Sequence, residues 1–135
     1  MTYEDAVRLA ERYVGAYTAR DLDAMLAVLD ENVVSHPAPL YGHRPHVGHA
    51  GVREWWSAVV ASGVWYGVAV NEVRQIGRDR IAILGEMSTD SGSRIGPWAA
   101  ILRVRGGLIA ESRTYLSERD LLDDLGLPGE SSVTS

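Results

Sequence analysis

The fold is decided by residues 80–116, whose sequence is RIAILGEMSTDSGSRIGPWAAILRVRGGLIAESRTYL. Apolar residues alternate with polar or small ones along most of this stretch, which is the pattern of half-buried β-strands. Gly106-Gly107 interrupts the pattern with a two-residue turn of the kind that joins hairpin strands. With the Val-rich segment before it, the stretch predicts a four-stranded antiparallel meander. The predicted strands are 65–76, 80–89, 97–105 and 108–116.

The segments on either side of this sheet have the periodicity of amphipathic helices. Thr2 and Asp5 form a capping-box pattern before the first helix, and Asp21 can cap a second, shorter one. Val33-Val34 then begins an extended segment, and Gly126 stands where the last helix should stop. The predicted helices are 3–19, the short one after Asp21, 51–62 and 118–125.

Helices followed by a curled antiparallel sheet indicate an α+β fold, because the sheet must bury one face against the helices. We expect a cone-shaped α+β barrel, with three N-terminal helices packed in a strongly curved antiparallel sheet and a short C-terminal helix. A single domain is expected over residues 1–128, and the polar residues 129–135 are expected to form a disordered tail. The open mouth of such a cone suits an apolar small-molecule ligand.

The composition excludes several kinds of chemistry. The chain has 135 residues and no Cys, so disulfides, thiolate nucleophiles and cysteine metal sites are excluded. All 13 basic residues are Arg, which removes Schiff-base chemistry and the phosphate-loop lysine. A net charge of −5 argues against nucleic acid or an anionic membrane as a partner. No cofactor is expected, and the chemistry is left to His, Asp, Glu, Tyr and Ser.

The first residues and the hydropathy bear on the expected location. The sequence begins with acidic residues where a signal peptide would have basic ones, and no window approaches the roughly 20 apolar residues of a membrane span. We therefore expect a cytoplasmic protein without a membrane partner.

Three sequence segments resemble a known family. They are Asp30-Glu31-Asn32-Val33-Val34, the stretch from Gly48 to Trp56 (GHAGVREWW), and the stretch from Asp120 to Pro128 (DLLDDLGLP). They are similar to SnoaL-like domains of the nuclear transport factor two-like (NTF2-like) superfamily, whose members include ketosteroid isomerases, polyketide cyclases, limonene epoxide hydrolases and many non-catalytic proteins. The resemblance implies the cone fold and a homodimer joined through the outer face of the sheet. Because this fold supports many different reactions, the reaction must be inferred from the residues of the site.

The resemblance also implies roles for two residues. Tyr13 falls on the helix-one tyrosine that stabilises the oxyanion in ketosteroid isomerases, and His36 falls on the position of their general-base carboxylate. Other positions depart from the relatives. Ala100 stands in place of the isomerases' neutral acid, Thr114 in place of an epoxide hydrolase Asp, and Ser117 in place of an acid of the cyclases.

Both candidate residues also have structural interpretations. His36 has an ordinary pKa near about 6.5 and can move a proton at neutral pH, but it could equally be a partly buried histidine that binds a backbone carbonyl. Tyr13 could be a core aromatic residue whose hydroxyl is satisfied within the fold.

The four histidines fall close together in the sequence, at His36, His43, His46 and His49. Clustered imidazoles can bind zinc or copper. These lie in a Pro/Gly-rich loop instead of on one helix face, so no metal site is predicted. Residues 41–49 are expected to form a rim at the cavity mouth.

Period-two counting assigns alternate residues of each strand to the cavity. Glu111, Arg113 and Tyr115 then point outward, where charges paired across strands on an exposed face explain them. The predicted ligand-binding residues are Tyr17, Trp55, Trp56, Ile83, Met87, Trp98, Ala100, Leu102, Ser112, Thr114 and Leu116.

Two functions remain open from the sequence. One is a cofactor-independent acid/base enzyme of the isomerase, cyclase or dehydratase kind, acting on an apolar cyclic metabolite with His36 as base and Tyr13 as oxyanion donor. The other is a non-catalytic ligand-binding or accessory domain. The first requires both side chains to reach into one open cavity.

Overall fold

A computed structural model describes residues 1–37 and 44–126. In these residues the helices are α1 (Tyr3–Thr18), α2 (Leu22–Val28), α3 (Gly48–Ser62) and α4 (Glu118–Leu125). The strands are β1 (Leu29–His36), β2 (His46–Val47), β3 (Gly67–Ile76), β4 (Arg80–Ser88), β5 (Arg94–Arg105) and β6 (Leu108–Tyr115). None of the described helices has the length and apolar character needed to cross a bilayer. The predicted domain end at 128 and the tail 129–135 lie outside the described residues.

Side-chain caps fix the starts of three helices. Thr2 and Asp5 form the predicted capping box, in which each side chain accepts a hydrogen bond from the other residue's backbone N–H. Asp21 caps α2 as predicted. Ser117 accepts from the Asp120 N–H at 3.0 Å and so caps α4. The position where the cyclases carry an acid therefore has a structural role here, because its hydroxyl begins a helix.

The sheet has the strand order β2-β1-β6-β5-β4-β3. Strands β3 to β6 form the predicted antiparallel meander. Strand β1 adds a parallel pair with β6, and β2 pairs with β1 in the antiparallel sense, so the sheet is mixed and unclosed. The predicted α+β fold class is confirmed. Strand β1 starts before the predicted Val33 because Leu29 already pairs with Ile109, and α3 begins three residues before the predicted Gly51, at Gly48.

The sheet bends where β3 meets β4. A bulge falls between Val70 and Glu72, opposite Gly85. A Cβ atom on Gly85 would lie 2.1 Å from the carbonyl oxygen of Ala69, so only glycine fits there. Bulges increase strand twist, and this one helps the sheet curve around the helices.

The two faces of the sheet are covered by different helices. On the inner face, Ile83 and Leu102 are fully buried in the core shared with α1, α2 and α3. On the outer face, Leu121 and Leu122 of α4 pack over a second, smaller core that includes Tyr115. Tyr115 was expected on an exposed face, but it is 8% exposed because α4 lies over it.

Candidate functional site

A cavity opens between the three N-terminal helices and the inner face of the sheet. Its volume is about 710 Å³, including the solvent-filled space at its mouth. Its lining is mostly aliphatic and aromatic, with hydroxyl groups as the polar side chains. The lining residues are Tyr13, Val14, Tyr17, Met25, Leu29, Ser35, Pro37, Val52, Trp55, Val68, Met87, Trp98, Ser112 and Thr114.

Part of the predicted ligand-binding set lies in this lining. Tyr13, the candidate oxyanion donor, also lines the cavity. The predicted ligand-binding residues that line it are Tyr17, Trp55, Met87, Trp98, Ser112 and Thr114. The other predicted residues, Trp56, Ile83, Ala100, Leu102 and Leu116, belong to or pack against the inner core. Ile83, Ala100 and Leu102 face the predicted side of the sheet, but none of the five residues is among those that line the open space. Counting alternate residues along the strands identified the inner face of the sheet. It did not show which part of that face lines the cavity.

Tyr13 is carried into the cavity by α1. Burial raises the pKa of its hydroxyl above the ordinary tyrosine value, and a hydrogen bond with Ser112 opposes part of that rise. The hydroxyl is therefore neutral at physiological pH and available to donate or accept a hydrogen bond.

Ser35 was not predicted as a site residue, although it belongs to the cavity lining. The parallel pairing of β1 with β6 places it opposite Ser112. The Ser112 hydroxyl donates to Ser35 Oγ at 3.2 Å, and Ser112 is only 2% exposed. The alternation along β1 could have identified Ser35, because Val33, two residues earlier, is fully buried.

His36 lies one residue further along β1, so its side chain lies on the face of the sheet opposite to that of Ser35. Its strand partner is Arg113, whose guanidinium donates to His36 Nε2 at 3.4 Å, and Glu111 Oε2 lies 3.8 Å from the same nitrogen. Burial and the Arg113 charge lower the pKa of His36, while Glu111 acts in the opposite direction. His36 is absent from the cavity lining, so the expectation that it and Tyr13 reach into one cavity is not met.

Two tryptophan rings support Tyr17, which lines the cavity. Tyr17 stacks on Trp65 with 5.0 Å between ring centroids, and Trp56 packs edge-on against Trp65 at 4.9 Å. Trp65 Nε1 donates to the backbone oxygen of Tyr17 at 3.1 Å. The sequence placed Trp65 in a strand, but β3 begins only at Gly67. Neither Trp56 nor Trp65 belongs to the lining. Both therefore pack against Tyr17 outside the cavity and fix the position of its ring.

The described lining contains no Asp, Glu, His or Arg side chain. It can offer hydrogen bonds through hydroxyls and contact through apolar and aromatic surface. A proton acceptor with a pKa near neutrality is missing from the described part of the lining, so its own groups do not make a general base.

The described histidines lie on different elements of the structure. His46 belongs to β2, and His49 Nε2 bonds the backbone oxygen of Leu29 at 3.0 Å. Within 1–37 and 44–126, no three metal-ligating side chains come together. His43 and the beginning of the predicted rim, 41–43, lie outside the described residues.

The model of the SnoaL-like domain family matches residues 10–112 of the chain. A comparison with curated proteins gave no significant match.

Solved structures share the fold. A candidate polyketide cyclase from Xanthomonas campestris is 19% identical, with a TM-score of 0.71 over 89% of this chain and 96% of that chain. A candidate ketosteroid isomerase from Kribbella flavida is 18% identical, with a TM-score of 0.69 over 85% and 79%. An NTF2-like protein from Burkholderia pseudomallei is 20% identical, with a TM-score of 0.69 over 91% and 97%. At these identities the likeness concerns the fold alone, which is the NTF2-like cone.

Proposed function

The chain belongs to the SnoaL-like domain family, and on that premise we propose that its cavity binds an apolar, cyclic small molecule. The observation that carries the proposal is the lining, in which apolar and aromatic side chains surround a few hydroxyl groups. Small-molecule sites in proteins typically combine a mainly apolar concave surface with a few polar groups that orient the ligand.

The aromatic residues of the lining favour a ring-shaped ligand. Tyr17, Trp55 and Trp98 contribute ring surfaces to the lining. Aromatic faces and edges pack well against flat ligands in offset or edge-on arrangements.

Ligand binding is favoured over acid/base catalysis by what the described lining offers. Proton transfer needs an acceptor within hydrogen-bond reach of the ligand, and His36 contacts Glu111 and Arg113 instead. An isomerase, cyclase or dehydratase remains a second candidate because of Tyr13, whose neutral buried hydroxyl is suited to stabilising an oxyanion. Such an enzyme would need a base from outside the described lining.

A cavity-filling substitution tests the binding function. Val68 lines the cavity from β3, so Val68→Phe should occupy space that the ligand needs. Val60→Phe makes the same change at an exposed position of α3 and serves as the control. In calorimetric titrations with tetralin, a two-ring apolar probe, Val68→Phe should weaken binding about tenfold or more, and Val60→Phe should match wild type. Equal affinities in all three proteins would refute binding in this cavity.

We also propose that two copies pair through the outer face of the sheet, as the family resemblance implies. Beside α4, this face carries Arg103 and Glu111, which are strand neighbours, and the exposed Arg113. A two-fold axis could place these charges opposite their complements. Sedimentation at tens of micromolar should give twice the 14.7 kDa monomer mass, and Arg113→Glu should reduce it. A wild-type species of 14.7 kDa alone would refute the pairing.

A further inference from the structure

We propose that Tyr13, Ser112 and Ser35 form a hydroxyl relay whose direction reverses with the ligand, so that one site recognises either a carbonyl or a hydroxyl oxygen. The inference rests on the proposed binding function of the cavity. It adds that Ser112 and Ser35 determine which polar group of a ligand the site can bind.

The relay is defined by its middle residue. The Ser112 hydroxyl bonds Ser35 Oγ at 3.2 Å on one side and the Tyr13 hydroxyl on the other. All three residues line the cavity. Ser112 is almost completely shielded from solvent, so its hydroxyl depends on these neighbours for hydrogen bonds.

Counting protons shows what the relay can offer. Each hydroxyl has one proton to donate and two lone pairs to accept with. When the two hydrogen bonds that join the three hydroxyls run in the same direction, they use two protons internally, and the third proton is left at one end of the relay. The relay therefore presents a donor at Tyr13 or a donor at Ser35, according to the direction of its bonds.

The ligand selects the direction. A carbonyl oxygen can only accept, so it aligns the bonds from Ser35 through Ser112 to Tyr13, and Tyr13 donates to it. A ligand hydroxyl can instead donate to Tyr13, in which case Tyr13 donates to Ser112 and Ser112 donates to Ser35. The free proton then lies on Ser35, which also lines the cavity and can reach water there.

Removing the middle hydroxyl should affect the two ligand types differently. In Ser112→Ala, Tyr13 can still donate to a carbonyl, and no proton is left without an acceptor. With a ligand hydroxyl, two protons compete for one hydrogen bond, so one buried O–H stays unpaired. An unpaired buried donor weakens binding by about 5- to 100-fold, whereas the carbonyl ligand should lose no more than about threefold.

The test uses three ligands of nearly the same shape: tetralin, 1-tetralone and 1-tetralol. Their affinities are measured by calorimetry for wild type, Ser112→Ala and Ser35→Ala, after urea denaturation has shown that each variant is folded. Ser35→Ala leaves the Ser112 proton without its acceptor, so it should also disfavour the alcohol. Ser57→Ala is the matched control, because it removes a hydroxyl from an exposed position of α3 that does not line the cavity.

We expect wild type to bind the ketone and the alcohol more tightly than tetralin. The ratio of ketone to alcohol affinity should rise by about fivefold or more in Ser112→Ala, rise in the same sense in Ser35→Ala, and stay constant in Ser57→Ala. An unchanged ratio of ketone to alcohol affinity in both serine variants would overturn the relay. Binding of tetralin in the same experiment would still support the proposed binding function. Failure of wild type to bind any of the three ligands would overturn the binding function and the relay with it.

Discussion

The two faces of strands β1 and β6 differ in their chemistry, and consecutive residues of each strand lie on opposite faces. On the inner face, Ser35 and Ser112 share a hydrogen bond at the cavity wall. On the outer face, His36 lies against Arg113 and Glu111. Side chains alternate between the faces of a strand, so consecutive residues of one short segment serve entirely different surroundings.

The difference has an energetic basis. Burying a charge without a partner costs far more than burying a hydroxyl that is hydrogen-bonded. The outer face keeps its charged groups near solvent and near one another, and the inner face keeps neutral hydroxyls. The proposed site on the inner face would therefore recognise its ligand by shape and by hydrogen bonds, with no charged side chain from the described lining.

The largest effect should distinguish the two faces by stability. Leu102 of β5 is fully buried on the inner face, and its neighbour Ile101 is only partly buried beside α4. We expect Leu102→Ala to lower the free energy of unfolding by about 2 to 5 kcal/mol, because it leaves a cavity in the main core. Ile101→Ala should cost distinctly less in the same urea denaturation experiment. Equal losses would mean that the outer core matters as much as the inner one.

The next effect concerns ligand affinity. Tyr13→Phe removes the hydroxyl at the cavity end of the relay and should weaken binding of 1-tetralone about tenfold, since a hydrogen bond to the ligand oxygen is lost. His36→Ala should leave that affinity unchanged, because His36 contacts the other face. Calorimetric titration of the two variants measures both. A loss in His36→Ala as large as that in Tyr13→Phe would return His36 to the site.

The smallest effect is a change in the titration of His36. Its pKa is lowered by burial and by Arg113 and raised by Glu111. NMR titration of the imidazole should therefore give a higher pKa in Arg113→Gln and a lower one in Glu111→Gln. The opposite order would contradict the contacts on the outer face.

The same pKa has a consequence for stability. The folded protein binds the His36 proton less readily than the unfolded chain does, because the pKa is lowered in the folded state. Stability should therefore fall as the pH decreases through the ordinary histidine pKa towards the lowered one. The loss should be smaller in Arg113→Gln than in wild type when urea denaturation is repeated across this range.

Much of the fold could be predicted from the sequence because its signals are local. The capping box at Thr2 and Asp5 and the alternation along β5 and β6 depend on residues close together in the chain, and the structure has both. The parallel pairing of Ser35 with Ser112 joins residues 77 positions apart. No local pattern specifies such a pairing.

The candidate site was predicted less well for the same reason. The resemblance placed His36 on a general-base position, and a step of one residue along β1 separates that position from the cavity wall. The resemblance singled out Tyr13, which a long helix with a clear apolar stripe carries into the cavity lining. Trp65 was missed as a support for Tyr17, because the stacking follows from how the segment before β3 packs on α1.

A crystal structure of the protein with 1-tetralone bound tests the central claim most directly. The claim is that the site is the cavity of Tyr13, Ser112 and Ser35, and that His36 lies outside it. We predict the rings of the ligand among the aromatic residues of the cavity, with its oxygen within about 3.2 Å of the Tyr13 hydroxyl and no contact to His36. A ligand whose oxygen binds His36, or one seated on the outer face of the sheet, would contradict the account.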